Sequence, residues 1–217
     1  FSGSSELALG EQDLGGGAIK KGNLRLSFSN DKFGALIYGA YNGRKQITDN
    51  REPTYGGTEG ALFPERIDFR NYKVEREDEA YGGTLEYYLD NGGRLFFNSL
   101  NTKFTDSEER NDFRVYIGGE GDVPANTSSG ETASLRRLIE YGKYINETEV
   151  NTIGLDIPVG EWDVEVSYSK IKTDFDTYLP LPYLIGGGQA SNVFYDLTDP
   201  EDPTITFDEN LVDVAYP

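Results

Sequence analysis

Apolar residues in this chain recur at every second position, and three-to-four spacing is rare, so the pattern is that of strands. In 22–29, Leu24, Leu26 and Phe28 alternate with Asn23, Arg25, Ser27 and Ser29, which sends the two sets to opposite faces of an extended chain. Asn30-Asp31 then predicts a tight turn. The segment 32–42 predicts a second strand, with Phe33, Ala35, Ile37 and Tyr41 on one face and Leu36 and Tyr38 on the other. Leu85, Tyr87 and Leu89 alternate with Thr84, Glu86, Tyr88 and Asp90 ahead of a turn at Asn91-Gly92-Gly93, and 94–104 resumes the strand pattern. In the clearest hairpin, Ile153, Leu155 and Ile157 alternate with Thr152, Gly154 and Asp156. Pro158-Val159-Gly160-Glu161 turns the chain there, and Trp162, Val164, Val166 and Tyr168 alternate with Asp163, Glu165, Ser167 and Ser169. Leu7 and Leu9, opposed by Glu6 and Ala8, give a weaker opening strand.

The turns near Asn30, Gly92 and Gly160 are short, whereas the connections between hairpins are long, polar and glycine-rich. Short turns at one end and long loops at the other is the layout of outer-membrane barrels. The expected fold is therefore all-β, an antiparallel hairpin meander of about seven strands forming part of a large transmembrane β-barrel. Residues 1–217 read as one partial barrel domain. Strand-prone stretches run on over 65–90 and 94–118, beyond the 9 to 11 residues that cross a bilayer. The last forty or so residues are broken by Leu179-Pro180-Leu181-Pro182, Gly186-Gly187-Gly188 and Asp199-Pro200-Glu201-Asp202-Pro203. They predict one long extracellular loop over 176–217.

Composition narrows the chemistry. With 38 acidic and 20 basic side chains the net charge is −18, which repels phosphates and argues against a nucleic-acid partner. Cysteine and histidine are both absent, which removes thiolate nucleophiles, disulfides and the commonest general base and metal ligand. Carboxylate chemistry of the glycosidase kind and all-oxygen cation sites stay open. No apolar run is long enough for a transmembrane helix, and the mean hydropathy of −0.57 does not speak against a membrane barrel, which needs only alternate residues to be apolar. With no starting Met and no signal peptide, the chain reads as mature, processed or a piece of something longer.

The order of features resembles a known family. It is carried by 32–38 (KFGALIY) with 42–45 (NGRK), 72–77 (YKVERE), 85–89 (LEYYL), 104–110 (FTDSEER) and 162–169 (WDVEVSYS). Together these resemble the early barrel strands of TonB-dependent outer-membrane receptors, in particular a proteobacterial subgroup with many receptors assigned to carbohydrate import. The likeness spans roughly 20–175 and lies in order and spacing. It implies a barrel of about 22 strands closed by a plug domain that this chain does not carry. It further implies import of a scarce nutrient, such as a carbohydrate or siderophore, into the periplasm of a Gram-negative bacterium, driven indirectly through TonB.

On this reading the chain is not an enzyme. Arg25, Glu86, Asp156, Asp163 and Glu165 would share the lumen face, where they meet ligand or simply face water. Tyr178, Tyr183 and Tyr195 are loop tyrosines that could stack on a ligand, and Trp162 sits where barrels place interfacial aromatics. No cofactor is expected, with calcium held by Asp196, Asp199, Glu201, Asp202, Asp208 and Glu209 as the one candidate ion, although the DxDxDG order is missing. Expected partners are the bilayer, the plug, TonB at one remove and a small molecule. Sequons at Asn126 and Asn146 would go unused in such a setting. A soluble secreted β-sandwich that binds carbohydrate or protein is the other reading, because alternation alone does not separate a lipid-facing sheet from a sandwich core.

Overall fold

A computed structural model describes residues 1–13, 17–58, 61–117, 127–180, 183–196, 198 and 204–206, with side chains left out for 58, 61–64, 127–132, 183–193, 195, 205 and 206. All regular structure among them is β. The strands are β1 (Ser2–Glu11), β2 (Ala18–Ser29), β3 (Phe33–Thr58), β4 (Ala61–Tyr88), β5 (Arg94–Ile117), β6 (Thr127–Val159), β7 (Trp162–Tyr178), β8 (Tyr183–Asp196) and β9 (Thr204–Thr206). Consecutive strands pair from β1 to β6, and β6 then takes two antiparallel partners in succession along one edge. Its C-terminal part pairs with β7, Val159 opposite Trp162 and Lys143 opposite Tyr178; its N-terminal part pairs with β8, Ile139 opposite Tyr183 and Thr127 opposite Asp196. Pro180 and Pro182, which cannot donate to a ladder, fall in the gap between β7 and β8.

Two findings differ from the sequence reading. The strands are longer than alternation marks, since β3 continues to Thr58 and β6 begins at Thr127. The stretch expected as one loop over 176–217 contains β8 and β9, held in register by β6 and by each other. Residues 207–217 lie outside the described residues.

The chain divides into two compact units: Phe1–Ile47, Val74–Glu108 and Gly142–Leu179 form the first, and Thr48–Lys73, Glu109–Tyr141 and Pro180–Pro217 the second. The first unit contains the three short turns. Two of them rely on glycine in the left-handed region, Gly92 at φ 83° and Gly160 at φ 65°. The third has no glycine; there the Asn30 side-chain oxygen accepts from the amides of Lys32 (2.9 Å) and Phe33 (2.8 Å), an Asx turn that does the same work.

Register sorts the first unit's side chains onto two faces. Leu24, Leu26 and Phe28 on β2 face Gly39, Ile37 and Ala35 on β3, and Ile153, Leu155, Ile157 and Val159 on β6 face Tyr168, Val166, Val164 and Trp162 on β7. Phe33 stacks beside Tyr87 at 5.2 Å on that same side. The opposite side carries Asn23, Arg25, Glu86, Thr152, Asp156 and Glu165.

In the second unit Ile67, Val115 and Leu135 are fully buried, and so are Asp68 and Asp112. Carboxylates in such positions must be paired, and the arginines that pair them are described below.

Candidate functional site

The apolar face of the first unit is the more exposed of the two. Trp162 is 76% exposed, Tyr168 70%, Tyr81 59% and Phe33 53%. Aromatic side chains of about 150–250 Å² each at those fractions present about 400–650 Å², already the size of the largest apolar patch on a typical monomer. Leu7, Leu9, Leu24, Ile37, Leu85, Leu95, Phe97, Ile153 and Val166 extend the same surface across β1 to β7. Phe33, Ala35, Leu85, Tyr87, Leu95 and Phe97 also line a shallow depression of 400 Å³.

The band has limits along β3, β4 and β7. On β4 it runs over 81–87 and stops at Glu79, and on β7 over 162–168 and stops at Lys170. On β3 it spans 33–41. Those lengths correspond to about 20–26 Å of strand at ~3.3 Å per residue.

The polar face is the more sheltered one near the short turns on β3 to β6, and it is exposed on β1, β2 and β7. A concavity of 480 Å³ is lined by Glu6, Asn23, Asn42, Asp78, Thr102 and Thr148, contributed by six successive strands, so the sheet of this unit curls with its polar side inward. Asn23 donates to Glu6 (2.9 Å) and Asn42 to Asp78 (3.0 Å), which fixes the amides along it. Nearer the short turns, Arg94 bridges Glu86 (2.5 Å) and Asp156 (2.7 Å) and lies 5.1 Å over the Phe96 ring. Tyr88 donates to the second Glu86 oxygen at 2.7 Å.

Of the residues singled out from sequence, Glu86 and Asp156 are therefore brought together, by an arginine the alternation did not flag. Glu165 lies opposite Asp156 on β7 and Asp163 opposite Pro158, both exposed. Arg25 lies opposite Tyr38 on the same face and is exposed. Trp162 opens β7 on the apolar face. Tyr178, expected in a loop, is the last residue of β7; Tyr183 opens β8 and Tyr195 pairs with Ser128 and Ile205 inside it, so the strand supplies what was read as loop. Asp196 accepts from the Thr198 amide (2.9 Å) and hydroxyl (2.6 Å), and these bonds hold its carboxyl below the usual carboxylate range. Asp199, Glu201, Asp202, Asp208 and Glu209 lie outside the described residues. Among the described residues no group of three or more acidic side chains is placed to hold a metal.

The second unit has its own charged centre. Asp68 contacts Arg66 (2.8 Å) and Arg70 (2.6 Å), while Asp112 contacts Arg114 (2.7 Å) and Arg70 (3.5 Å). Glu140 closes the set, accepting from Arg110 (2.9 Å) and Arg114 (3.1 Å). Tyr72 and Tyr116 stack under Arg110 and Arg136, each at 4.9 Å. Burial pushes the Asp112 carboxyl up, against the pull of Arg114, and its Oδ1 has no hydrogen-bond partner. Desolvation works against the Arg114 cation, but the hydrogen bond to and charge of Asp112, with Tyr116 and Glu140, together outweigh it and raise that pKa. The signal was present in the sequence: Arg66, Asp68 and Arg70 on β4 and Arg110, Asp112 and Arg114 on β5 are two matching Arg-x-Asp-x-Arg runs, which place charges of alternating sign on one face of each strand. Beside this centre a cavity of 770 Å³ is lined by Asp49, Phe69, Asn71, Asn111, Phe113 and Arg137, with the two phenylalanine rings 6.5 Å apart.

No family model, curated protein or solved structure matches this chain.

Proposed function

We propose that the chain is a stretch of wall from an outer-membrane β-barrel, and that the barrel belongs to a TonB-dependent receptor importing a scarce nutrient. One observation supports the membrane step above all: toward their short-turn ends, seven consecutive strands carry exposed apolar side chains on one face and amides, hydroxyls and ion pairs on the other. In water that arrangement leaves a large apolar surface uncovered. In a bilayer it matches what a barrel requires, an outward apolar band about 25 Å tall with interfacial aromatics and a polar interior. The import step is supported by the resemblance in order and spacing. In this reading the 480 Å³ concavity faces the lumen and the plug. The 770 Å³ cavity, with two aromatic faces and amides beside them, suits a polar ligand with at least one flat apolar side.

Solubility tests the membrane step. The chain is expected to stay folded in detergent micelles or lipid vesicles and to aggregate in plain buffer. A folded monomer in plain buffer, with the same far-UV circular dichroism, would sink the reading and leave a soluble sheet protein in its place. Titrating candidate saccharides and iron chelates against tryptophan and tyrosine fluorescence of the vesicle-bound receptor tests the import step separately.

A further inference from the structure

The chain contains two Asn-Gly pairs, Asn42-Gly43 inside β3 and Asn91-Gly92 in the turn between β4 and β5. In such a pair the glycine nitrogen lies open to the preceding side-chain carboxamide, because no Cβ shields it. The two pairs sit in opposite surroundings. Asn91 and Gly92 are exposed, and the Gly93 amide donates to Asn91 Oδ1 at 3.1 Å. That bond closes a ring containing both the Asn91 Cγ and the Gly92 nitrogen, so electrophile and nucleophile are held next to each other. The donated N–H also sits where negative charge gathers when Cγ is attacked, which is the arrangement of an oxyanion hole. Asn42 instead donates its Nδ2 to the Asp78 carboxylate at 3.0 Å, which makes its carbonyl a poorer electrophile, and Gly43 is buried in the ladder opposite Lys20.

We propose that the folded turn makes Asn91-Gly92 a self-modification site, at which the chain cyclises and loses ammonia without an enzyme. The Gly92 nitrogen gives its proton to hydroxide and attacks Cγ of Asn91, forming a C–N bond. Negative charge collects on Oδ1 under the Gly93 N–H, and the Asn91 Nδ2 leaves as ammonia with a proton from water, closing a cyclic imide. Water then opens the imide at one of its two carbonyls, leaving either an aspartyl linkage or an isoaspartyl one that runs through the side-chain carbon. Nothing is oxidised or reduced. The Gly92 N–H donates to the Leu89 carbonyl at 3.1 Å, so that bond must open first and the rate follows the opening of the turn. The product sets a new carboxylate beside Asp90, which already pairs with Lys32, and the isoaspartyl form lengthens the backbone between the Leu89 amide and the Gly93 carbonyl it reaches at 2.8 Å. The turn thereby loosens once and irreversibly. This site is independent of the membrane reading.

The test holds the full chain in mildly alkaline buffer, in whichever of detergent micelles and plain buffer keeps it folded, beside a sample unfolded in urea. Both are digested at intervals, and the peptides carrying Asn42 and Asn91 are followed by mass spectrometry for loss of ammonia and then gain of water. One preorganised oxyanion donor is worth about 100–1000-fold inside an enzyme and less where water reaches it, so Asn91 is expected to convert about tenfold faster in the folded chain than in urea. Asn42 is expected to convert more slowly folded than unfolded, and the two sites to convert alike in urea, where only their shared Asn-Gly sequence acts. The comparison lies within one molecule and needs no variant to fold. Conversion at Asn91 that is no faster in the folded chain than in urea overturns the proposal, and so does conversion at Asn42 as fast as at Asn91 in the folded chain.

Discussion

Arg94 on β5 and Asp156 on β6 meet at 2.7 Å on the polar face although 62 residues separate them. The same guanidinium holds Glu86 and covers the Phe96 ring, so it ties β4, β5 and β6 together just above two of the short turns.

Removing that arginine should loosen the turn end. The Arg94 side chain is 42% exposed, so solvent screens its ion pairs, which discounts them to about 1 kcal/mol together, with about 0.5–1 kcal/mol for the contact over Phe96. R94A is expected to lower the unfolding free energy by about 1–2 kcal/mol in urea titrations of the vesicle-bound chain. R94K should recover less than half of that, because an ammonium cannot fork between two carboxylates. A loss below experimental error for R94A would show the bridge to be ornamental.

Gly154 and Gly160 should respond to alanine for different reasons. A Cβ on Gly154 would sit 2.2 Å from the Phe96 ring, so G154A must displace that ring, at about 1–3 kcal/mol. Gly160 has open space around it but φ of 65°, so G160A strains the backbone alone, at about 1 kcal/mol. A double-mutant cycle with F96L is expected to show coupling to G154A and none to G160A. Equal coupling at both sites would contradict the assigned contact.

Sequence alternation reads well where one face is apolar and one polar, because side-chain period then reports the fold directly. Leu24 to Phe28 and Trp162 to Tyr168 are such stretches, and the structure places their apolar sets together. It fails for 44–58 and 127–151, where both faces carry polar groups and no period survives. There the strands are held by cross-strand pairs such as Asn71 to Asp49 (2.8 Å) and Arg110 to Glu140 (2.9 Å), which residue type alone does not announce. Arg94 was legible in principle, since counting outward from the Asn91-Gly92-Gly93 turn sets it on the face of Glu86. Asp156 was not, because its pairing with β5 depends on a register that only the folded sheet fixes.

The buried Asp112 makes stability depend on pH in the direction opposite to ordinary paired carboxylates. Its folded pKa is raised above the 3.8 of the free side chain, so between those two values the folded state binds more protons than the unfolded one. Its contribution therefore grows as pH falls from above the folded pKa towards 3.8, and is lost again as pH rises. D112N should flatten that part of the stability profile, measured by urea titration from pH 7 down to pH 4. A D112N profile parallel to that of the parent chain would mean that Asp112 does not titrate there.

Val166 and Glu165 are neighbours on β7 that face opposite ways, Val166 opposite Leu155 and Glu165 opposite Asp156. If the apolar face meets lipid, an arginine at 166 carries a charge into hydrocarbon near the middle of the band, which costs about 2–4 kcal/mol in a barrel. An arginine at 165 instead enters the polar face beside Asp156, where it gains a partner. V166R should therefore lower the folded fraction in vesicles steeply while E165R leaves it unchanged or higher, read by protease protection and by unfolding in urea. In a soluble sheet whose apolar face is covered by another sheet, V166R would be costly in plain buffer as well, and vesicles would make no difference. The dependence on lipid is thus the decisive quantity: a V166R penalty of the same size with and without vesicles assigns the apolar face to protein packing, and a penalty confined to vesicles assigns it to the bilayer.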